Sequence, residues 1–333
     1  MSDSDVPRRR PRLARLLCLT LTVLGLAYVA FLVVMERAVP ERVLLAYVLI
    51  HGPQAPLLAP LPVLAVLCLL ARQWRLAALN ALLTLTAILL LMPPVLPHRT
   101  PRCDPARRVR VVTWNVHGEV WHLPQIQQTL ARLQPDIVCL QEAKAAAFAQ
   151  ALPGAQAAHT HEGWTLTRGR IIGQSAFPLS LPRVPRWGLS TQVELPQGRV
   201  SVLNVHYQVG IRRHIYVISR GEPSPIEEAR QHSTEVVLDW LRRTEGPRVV
   251  CGDFNTPPRA RIHRALRAEA TDAFAQAGRG WGFTYARGFP LIRIDYVWCD
   301  GAVTPVRCRT ADGLASDHRL VVTDLLLPQT ASP

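Results

Sequence analysis

Residues Leu13 to Met35 are nearly free of charge, and no other stretch limits the possible folds as tightly. A helix of about 20 apolar residues crosses the hydrocarbon layer of a bilayer. Two shorter apolar runs follow, Leu57 to Ala71 and Leu76 to Met92, separated by Arg72-Gln73-Trp74-Arg75. A cleaved signal peptide has a shorter apolar core and does not predict further spans, so the reading is an uncleaved anchor. Three transmembrane helices are expected, at 13–35, 57–71 and 76–92. Val43 to Ile50 is too short to cross and reads as an interfacial piece or an extension of the second span. An arginine-rich tail (1–12) precedes this region. A Pro/Arg-rich linker (93–108), a globular domain (109–327) and a short tail (328–333) follow it.

Composition supports that division. Hydrophobic residues make up 49% of the chain and are concentrated before residue 97. The net charge of +14 resembles a nucleic-acid footprint, but residues 1–110 carry +9 of it and the other 223 only +5. Most of the excess therefore flanks the apolar spans, where arginine sets topology and meets anionic lipid. Arginines on the two sides of the spans are equal in number, so they do not fix the orientation. The first span usually dominates and long domains cross regardless of charge, which places the globular domain outside the cytoplasm. Charge alone does not select DNA over other phosphate-bearing substrates. The seven cysteines show no Cys-x-x-Cys spacing, which argues against a zinc site or a redox pair. Cys139 and Cys251 read as small core residues. Cys299 and Cys308 flank an Asp300-Gly301 turn and could pair across a hairpin.

From Val109 the pattern becomes that of a domain with alternating strands and helices. Arg110 to Asn115 and Asp136 to Glu142 read as strands. The helix between them carries Ile126, Leu130 and Leu133 on one face. Short strands are expected from Trp164 to His206. Ser224-Pro225-Ile226-Glu227 is a capping box that opens a helix bearing Val236, Val237, Trp240 and Leu241. Strands at Arg293 to Cys299, Val303 to Arg309 and Leu320 to Leu326 close the domain. No repeat of 20 to 50 residues is present, so the class is α/β rather than a solenoid.

The strand ends carry the chemistry. Arg248 to Cys251 climbs to Gly252-Asp253-Phe254-Asn255, where residues i and i+2 share one face of an extended backbone. Asp253 would offer an acceptor that orients a water, and Asn255 a donor that steadies an oxyanion. Alone, these four residues read more readily as an ordinary turn. Asn115 could be a turn residue, Glu142 a solvated strand end, and His206 a hydrogen-bonded core histidine. Asp295 is harder to dismiss, because a lone acid in an apolar strand needs a partner. His318, beside Asp317, would supply one.

Taken together, Trp114-Asn115, Leu140-Gln141-Glu142, Gly252-Asp253-Phe254-Asn255, Ile294-Asp295-Tyr296 and Ser316-Asp317-His318 resemble the endonuclease/exonuclease/phosphatase superfamily. The likeness spans roughly Arg110 to Leu326 in the family's order; Ile171 to Pro178 and Arg230-Gln231 match more weakly. It implies a two-sheet α/β sandwich with flanking helices that hydrolyses phosphate esters with Mg²⁺, or with Mn²⁺ in its place. Residue by residue, it makes Glu142 the principal metal ligand, with Asn115 helping to hold the metal or its water and Asp317 supporting the metal side. Asp253 would orient and deprotonate the attacking water. Asn255 and His206 would donate to the phosphoryl oxygens, and Asp295 would fix the tautomer of His318, which contacts the phosphate. Hard oxygen donors of this kind suit Mg²⁺.

Substrate is less constrained. The expected activity is a membrane-anchored phosphodiesterase acting on nucleic acid, with phospholipid head groups as the rival substrate and a non-catalytic binding module as the rival class. The bilayer is the expected partner, through the N-terminal helices; no protein partner is expected. Tyr207 to Pro223, with Ile211-Arg212-Arg213-His214 and Arg220, reads as a substrate-gripping loop or a solvated insertion. Trp281 and Tyr285 read as core aromatics that could instead stack a base or sugar.

Overall fold

Along β1 (Arg108–Asn115) nearly every side chain is buried, on both faces of the strand, so the strand needs a layer on each side. The computed structural model describes residues 9–96, 104–118, 120–180, 185–208, 225–300 and 302–328, and supplies those layers. It divides into two units, residues up to Pro94 and residues from Val95 onward.

In the second unit β1 pairs in parallel with β2 (Ile137–Gln141) and antiparallel with β12 (Leu320–Leu326). With β3 (Gln156–His159), β4 (Gly163–Thr167) and β11 (Thr304–Ala311) they form a sheet of order β11-β12-β1-β2-β4-β3. The second sheet contains β5 (Arg170–Pro178), β6 (Trp187–Leu195), β7 (Gly198–His206), β8 (Arg248–Asp253), β9 (Thr271–Asp272) and β10 (Asp295–Cys299). Its order is β5-β6-β7-β8-β10-β9. Val109, Val111, Cys139, Val202, Val249 and Val297 fill the space between the sheets. Each such side chain contributes about 1.5–3 kcal/mol on burial. Outside, Ile126 and Leu130 of α6 (Leu123–Leu133) pack on Val112, Trp114, Val138 and Leu140. On the far face Val237 and Leu241 of α7 (Pro225–Arg243) and Leu266 of α8 (Arg261–Glu269) cover Leu203, Val205, Val250 and Trp298. This is the expected two-sheet α/β sandwich with flanking helices.

Two sequence readings change. Cys299 ends β10 in the second sheet, while Cys308 lies on β11 in the first, so no hairpin joins them; both are free, buried thiols. Part of the expected linker lies outside the described residues, but Val95 makes backbone hydrogen bonds with Gly280 in both directions, at 2.8 Å each. That strand-like bridge ties Val95 into the second unit. Ser224, the cap of the expected capping box, also lies outside the described residues, as does the loop bearing Arg212, Arg213, His214 and Arg220.

The first unit consists of α1 (Arg9–Arg37), α2 (Leu44–His51), α3 (Gln54–Leu58), α4 (Pro60–Leu70) and α5 (Trp74–Leu91). Two of these helices, at Arg12–Arg37 and Trp74–Leu91, are long and apolar enough to cross a membrane. Leu44–His51 and Gln54–Leu70 make a third candidate if this pair, bent by 105° at Gly52-Pro53, is one span. Leu16, Leu24, Phe31, Val66 and Leu82 point outward, as lipid-facing side chains do. Inside, Asn80 Nδ2 donates to Thr22 Oγ1 at 2.8 Å, and His51 Nε2 lies 3.0 Å from Glu41 Oε2.

Candidate active site

Strand register assembles the site. His206 at the end of β7 is paired with Asp253 at the end of β8, and Asp253 with Asp295 at the start of antiparallel β10. Three polar side chains therefore stand in a row on the face that carries Val202, Cys251 and Val297 deeper in the sandwich. The facing sheet contributes Asn115, the last residue of β1, and Glu142, the residue after β2. Between apolar core and site lies a polar layer. Gln141 Nε2 donates to Thr113 Oγ1 at 3.0 Å and to Asn204 Oδ1 at 2.7 Å, and Asn204 Nδ2 donates to Leu140 O and Trp164 O.

Asn115 bridges the two sheets. Its Nδ2 donates to Glu142 Oε1 at 3.0 Å and to Asp253 Oδ2 at 3.1 Å, while Oδ1 accepts from the His117 N–H at 3.0 Å. Asn255 reaches the site differently from the i, i+2 expectation. The strand ends at Asp253, and Asn255 turns back through a left-handed conformation at φ +50°. Its N–H then donates to Asp253 Oδ1 at 2.8 Å, and its Nδ2 to Tyr207 O at 3.0 Å and Asp253 Oδ2 at 3.2 Å. Arg230 on α7 secures this turn, donating to Asn255 O and Gln208 O. Glu142 is likewise left-handed, at φ +57°.

His318 packs between two acids, with Nδ1 2.9 Å from Asp295 Oδ2 and Nε2 3.8 Å from Asp253 Oδ2. Burial disfavours its charge, but Asp295 and Asp253 outweigh that and lift its pKa to about 10. Asp253 moves up too, chiefly through burial and then through the charge of Asp295. His206 is held well below its ordinary range by burial, with Arg186 and His318 adding repulsion, so its imidazole is neutral at pH 7. Its Nε2 lies 3.6 Å from Glu142 Oε1 and 3.8 Å from Asp253 Oδ2. Neither ring nitrogen has a hydrogen-bond partner among the described residues, and a cavity of about 10 Å³, room for one water, adjoins it.

Seven of the eight sequence-derived residues, Asn115, Glu142, His206, Asp253, Asn255, Asp295 and His318, are thus joined by direct contacts. Asp317 lies at the rim, where His117 Nδ1 approaches its Oδ1 to 3.6 Å. Tyr285 is partly exposed rather than core, its ring 5.0 Å from that of His318; Trp281 is partly exposed and stacks on Phe283. His117 and Asn204 were not singled out from sequence. The only signal for His117 was its place two residues after Asn115.

A divalent cation fits this donor set. Asp253, Asp295 and His318 gather side-chain atoms within 4.8 Å of one another, and Asp295 Oδ1 is buried without a hydrogen-bond partner among the described residues; with His318 held as an imidazolium, the carboxylates are the members of this group that can face an ion. Glu142 and Asp317 add carboxylates at the solvent-facing side. A bound ion would polarise a phosphoryl oxygen and template the ester.

Residues 112–318 match the Endonuclease/Exonuclease/phosphatase family. The chain belongs to that family and is a phosphoric ester hydrolase. Among solved structures it is similar to an endonuclease/exonuclease/phosphatase from Beutenbergia cavernae DSM 12333, at 22% identity and TM-score 0.54, covering 67% of this chain and 72% of that one. D. rerio TDP2 complexed with single strand DNA product gives 17% identity and TM-score 0.54, covering 67% and 99%. A Bacteroides thetaiotaomicron VPI-5482 mannosyl-6-phosphatase gives 17% and 0.54, covering 66% and 100%. At these identities the likeness is one of fold. No curated protein matches the chain by sequence.

Proposed function

We propose that this chain is a membrane-anchored, divalent-metal-dependent phosphodiesterase of nuclease-like chemistry, using Mg²⁺ or Mn²⁺. The observation that supports it is the row His206–Asp253–Asp295 facing Asn115 and Glu142 at one end of the inter-sheet layer. Asp253, already the acceptor of three hydrogen bonds, orients the attacking water and takes its proton. Its raised pKa suits that task near neutral pH. Glu142, with Asp317 beyond His117, would hold the metal, and Asn115 keeps Glu142 and Asp253 in register. Asp295 fixes His318 as an imidazolium that meets the phosphoryl charge as it builds. His206, neutral and unpartnered, donates from Nε2 to a phosphoryl oxygen. Asn255 spends its amide on Asp253 and Tyr207 O, so it shapes the base rather than the oxyanion.

The apolar helices support anchoring in a bilayer, and in this reading the globular unit lies on the extracytoplasmic side, because the first span usually dominates orientation. The test is the full-length chain in proteoliposomes, supplied separately with plasmid DNA, single-stranded DNA, phospholipid and a chromogenic phosphomonoester. Nicking or shortening of DNA supports the nuclease reading. Head-group release alone transfers the chemistry to lipid, and release of phosphate from the monoester alone replaces the diesterase with a phosphatase.

A further inference from the structure

His117 occupies a place that neither the fold nor the catalytic row requires. Its Nδ1 lies 3.6 Å from Asp317 Oδ1 and 3.9 Å from Glu142 Oε2, between the two carboxylates on the open side of the site. Two ligands of one ion bonded at about 2.1 Å stand about 3.0 Å apart when adjacent and about 4.2 Å when opposite. Both separations fall inside that interval, while Glu142 and Asp317 are less closely gathered with each other, so His117 is the member shared between them. The side chain is 56% exposed, and those of Glu142 and Asp317 are 33% and 41% exposed, so each is open to an ion from solvent. The imidazole is aimed by its backbone. His117 is left-handed at φ +53°, and its N–H is held by Asn115 Oδ1 at 3.0 Å. By contrast the buried imidazole, His318, is already engaged between Asp295 and Asp253.

We propose that His117 Nδ1 is a direct metal ligand, making the ion site of this chain a mixed nitrogen–oxygen site that favours Mn²⁺ over Mg²⁺. Imidazole suits first-row transition ions, whereas an all-oxygen set suits Mg²⁺. This rests on the metal-dependent reading above and specifies the ion it uses.

The test is Mn²⁺ titrated into the purified full-length chain in detergent. Free ion is counted by electron paramagnetic resonance, and bound ion is examined by electron spin echo modulation, which detects a directly bonded ¹⁴N. Asparagine and aspartate tolerate a left-handed backbone, so His117→Asn and His117→Asp keep the turn. The wild-type chain is expected to show ¹⁴N modulation that both variants lose. His117→Asp is expected to reduce the preference for Mn²⁺ over Mg²⁺ by about tenfold or more, at least the loss that even an outer-shell partner causes. Mn²⁺ bound without ¹⁴N modulation, or modulation that persists in both variants, overturns the assignment while leaving the metal-dependent reading intact. A wild-type chain that binds no Mn²⁺ overturns both.

Discussion

Replacing Asp295 by Asn keeps the size of the side chain and removes its charge. The carboxylate lies 2.9 Å from His318 Nδ1, in a buried setting. At an effective dielectric of about 20, a unit charge at that separation is worth roughly 6 kcal/mol to the imidazolium. Burial works against the charge, and Asp253 at 3.8 Å supplies the other attraction. Without Asp295, burial is opposed mainly by Asp253, and the imidazole returns to its ordinary value near 6.5 or below it. The direction for activity follows. In the wild type His318 stays protonated through neutral pH and loses its proton only as pH rises through about 10. In Asp295→Asn it loses the proton as pH rises through the neutral range, so the rate falls where the wild type keeps it. The amide also offers Nδ1 a donor in place of an acceptor, and loss of an oriented proton partner costs about 10²- to 10⁴-fold in rate. The assay is initial-rate cleavage of a chromogenic phosphodiester from pH 5 to 9 by the full-length chain in detergent, paired with nitrogen-15 histidine spectra. A variant with the wild-type rate and an unshifted profile would refute the reasoning.

Three further outcomes are expected, each read by urea unfolding of the detergent-solubilised chain through tryptophan fluorescence. Gly252 has φ +147°, and a Cβ there would sit 1.9 Å from Val205 O across the β7–β8 pair. Gly252→Ala should therefore cost more than roughly 4 kcal/mol, and near-wild-type stability would contradict the register. Arg293 donates to both oxygens of buried Asp272, at 3.0 and 2.5 Å. Asp272→Asn leaves a buried guanidinium uncompensated and should cost about 3–5 kcal/mol, with part regained on adding Arg293→Met. His263, stacked on Trp298, is pushed down to about 3 by burial, so the folded form binds its proton less readily than the unfolded one. Stability should thus fall by about 1.4 kcal/mol per pH unit below 6.5, until the folded form also protonates near pH 3, and His263→Gln should lack that component.

Much of this was legible in the sequence because strands expose their period. Val249, Cys251 and Asp253 alternate with Val250 and Gly252, so the strand's inward face and the acid at its end could be read together. Asp295 declared itself as a charge at the head of an apolar run, and His318 as its partner. Backbone turns were less legible. Asn255 and Glu142 enter the site through left-handed conformations, which residue type does not specify. His117 is marked by little more than its place after Asn115 until the fold brings Glu142 and Asp317 near it. The separation of β10 and β11 into different sheets was equally hidden, because a turn between two short strands looks the same whether the chain reverses or crosses over. Asp272 and Arg293 stand 21 residues apart, and only packing makes them a pair.

The most direct test of the account is diester cleavage by the full-length chain before and after chelation, beside Asp253→Asn. The account predicts turnover that stops with EDTA, returns with Mn²⁺ or Mg²⁺, and drops by at least about 10²-fold in the variant at every ion concentration. Undiminished turnover in both EDTA and Asp253→Asn would contradict it.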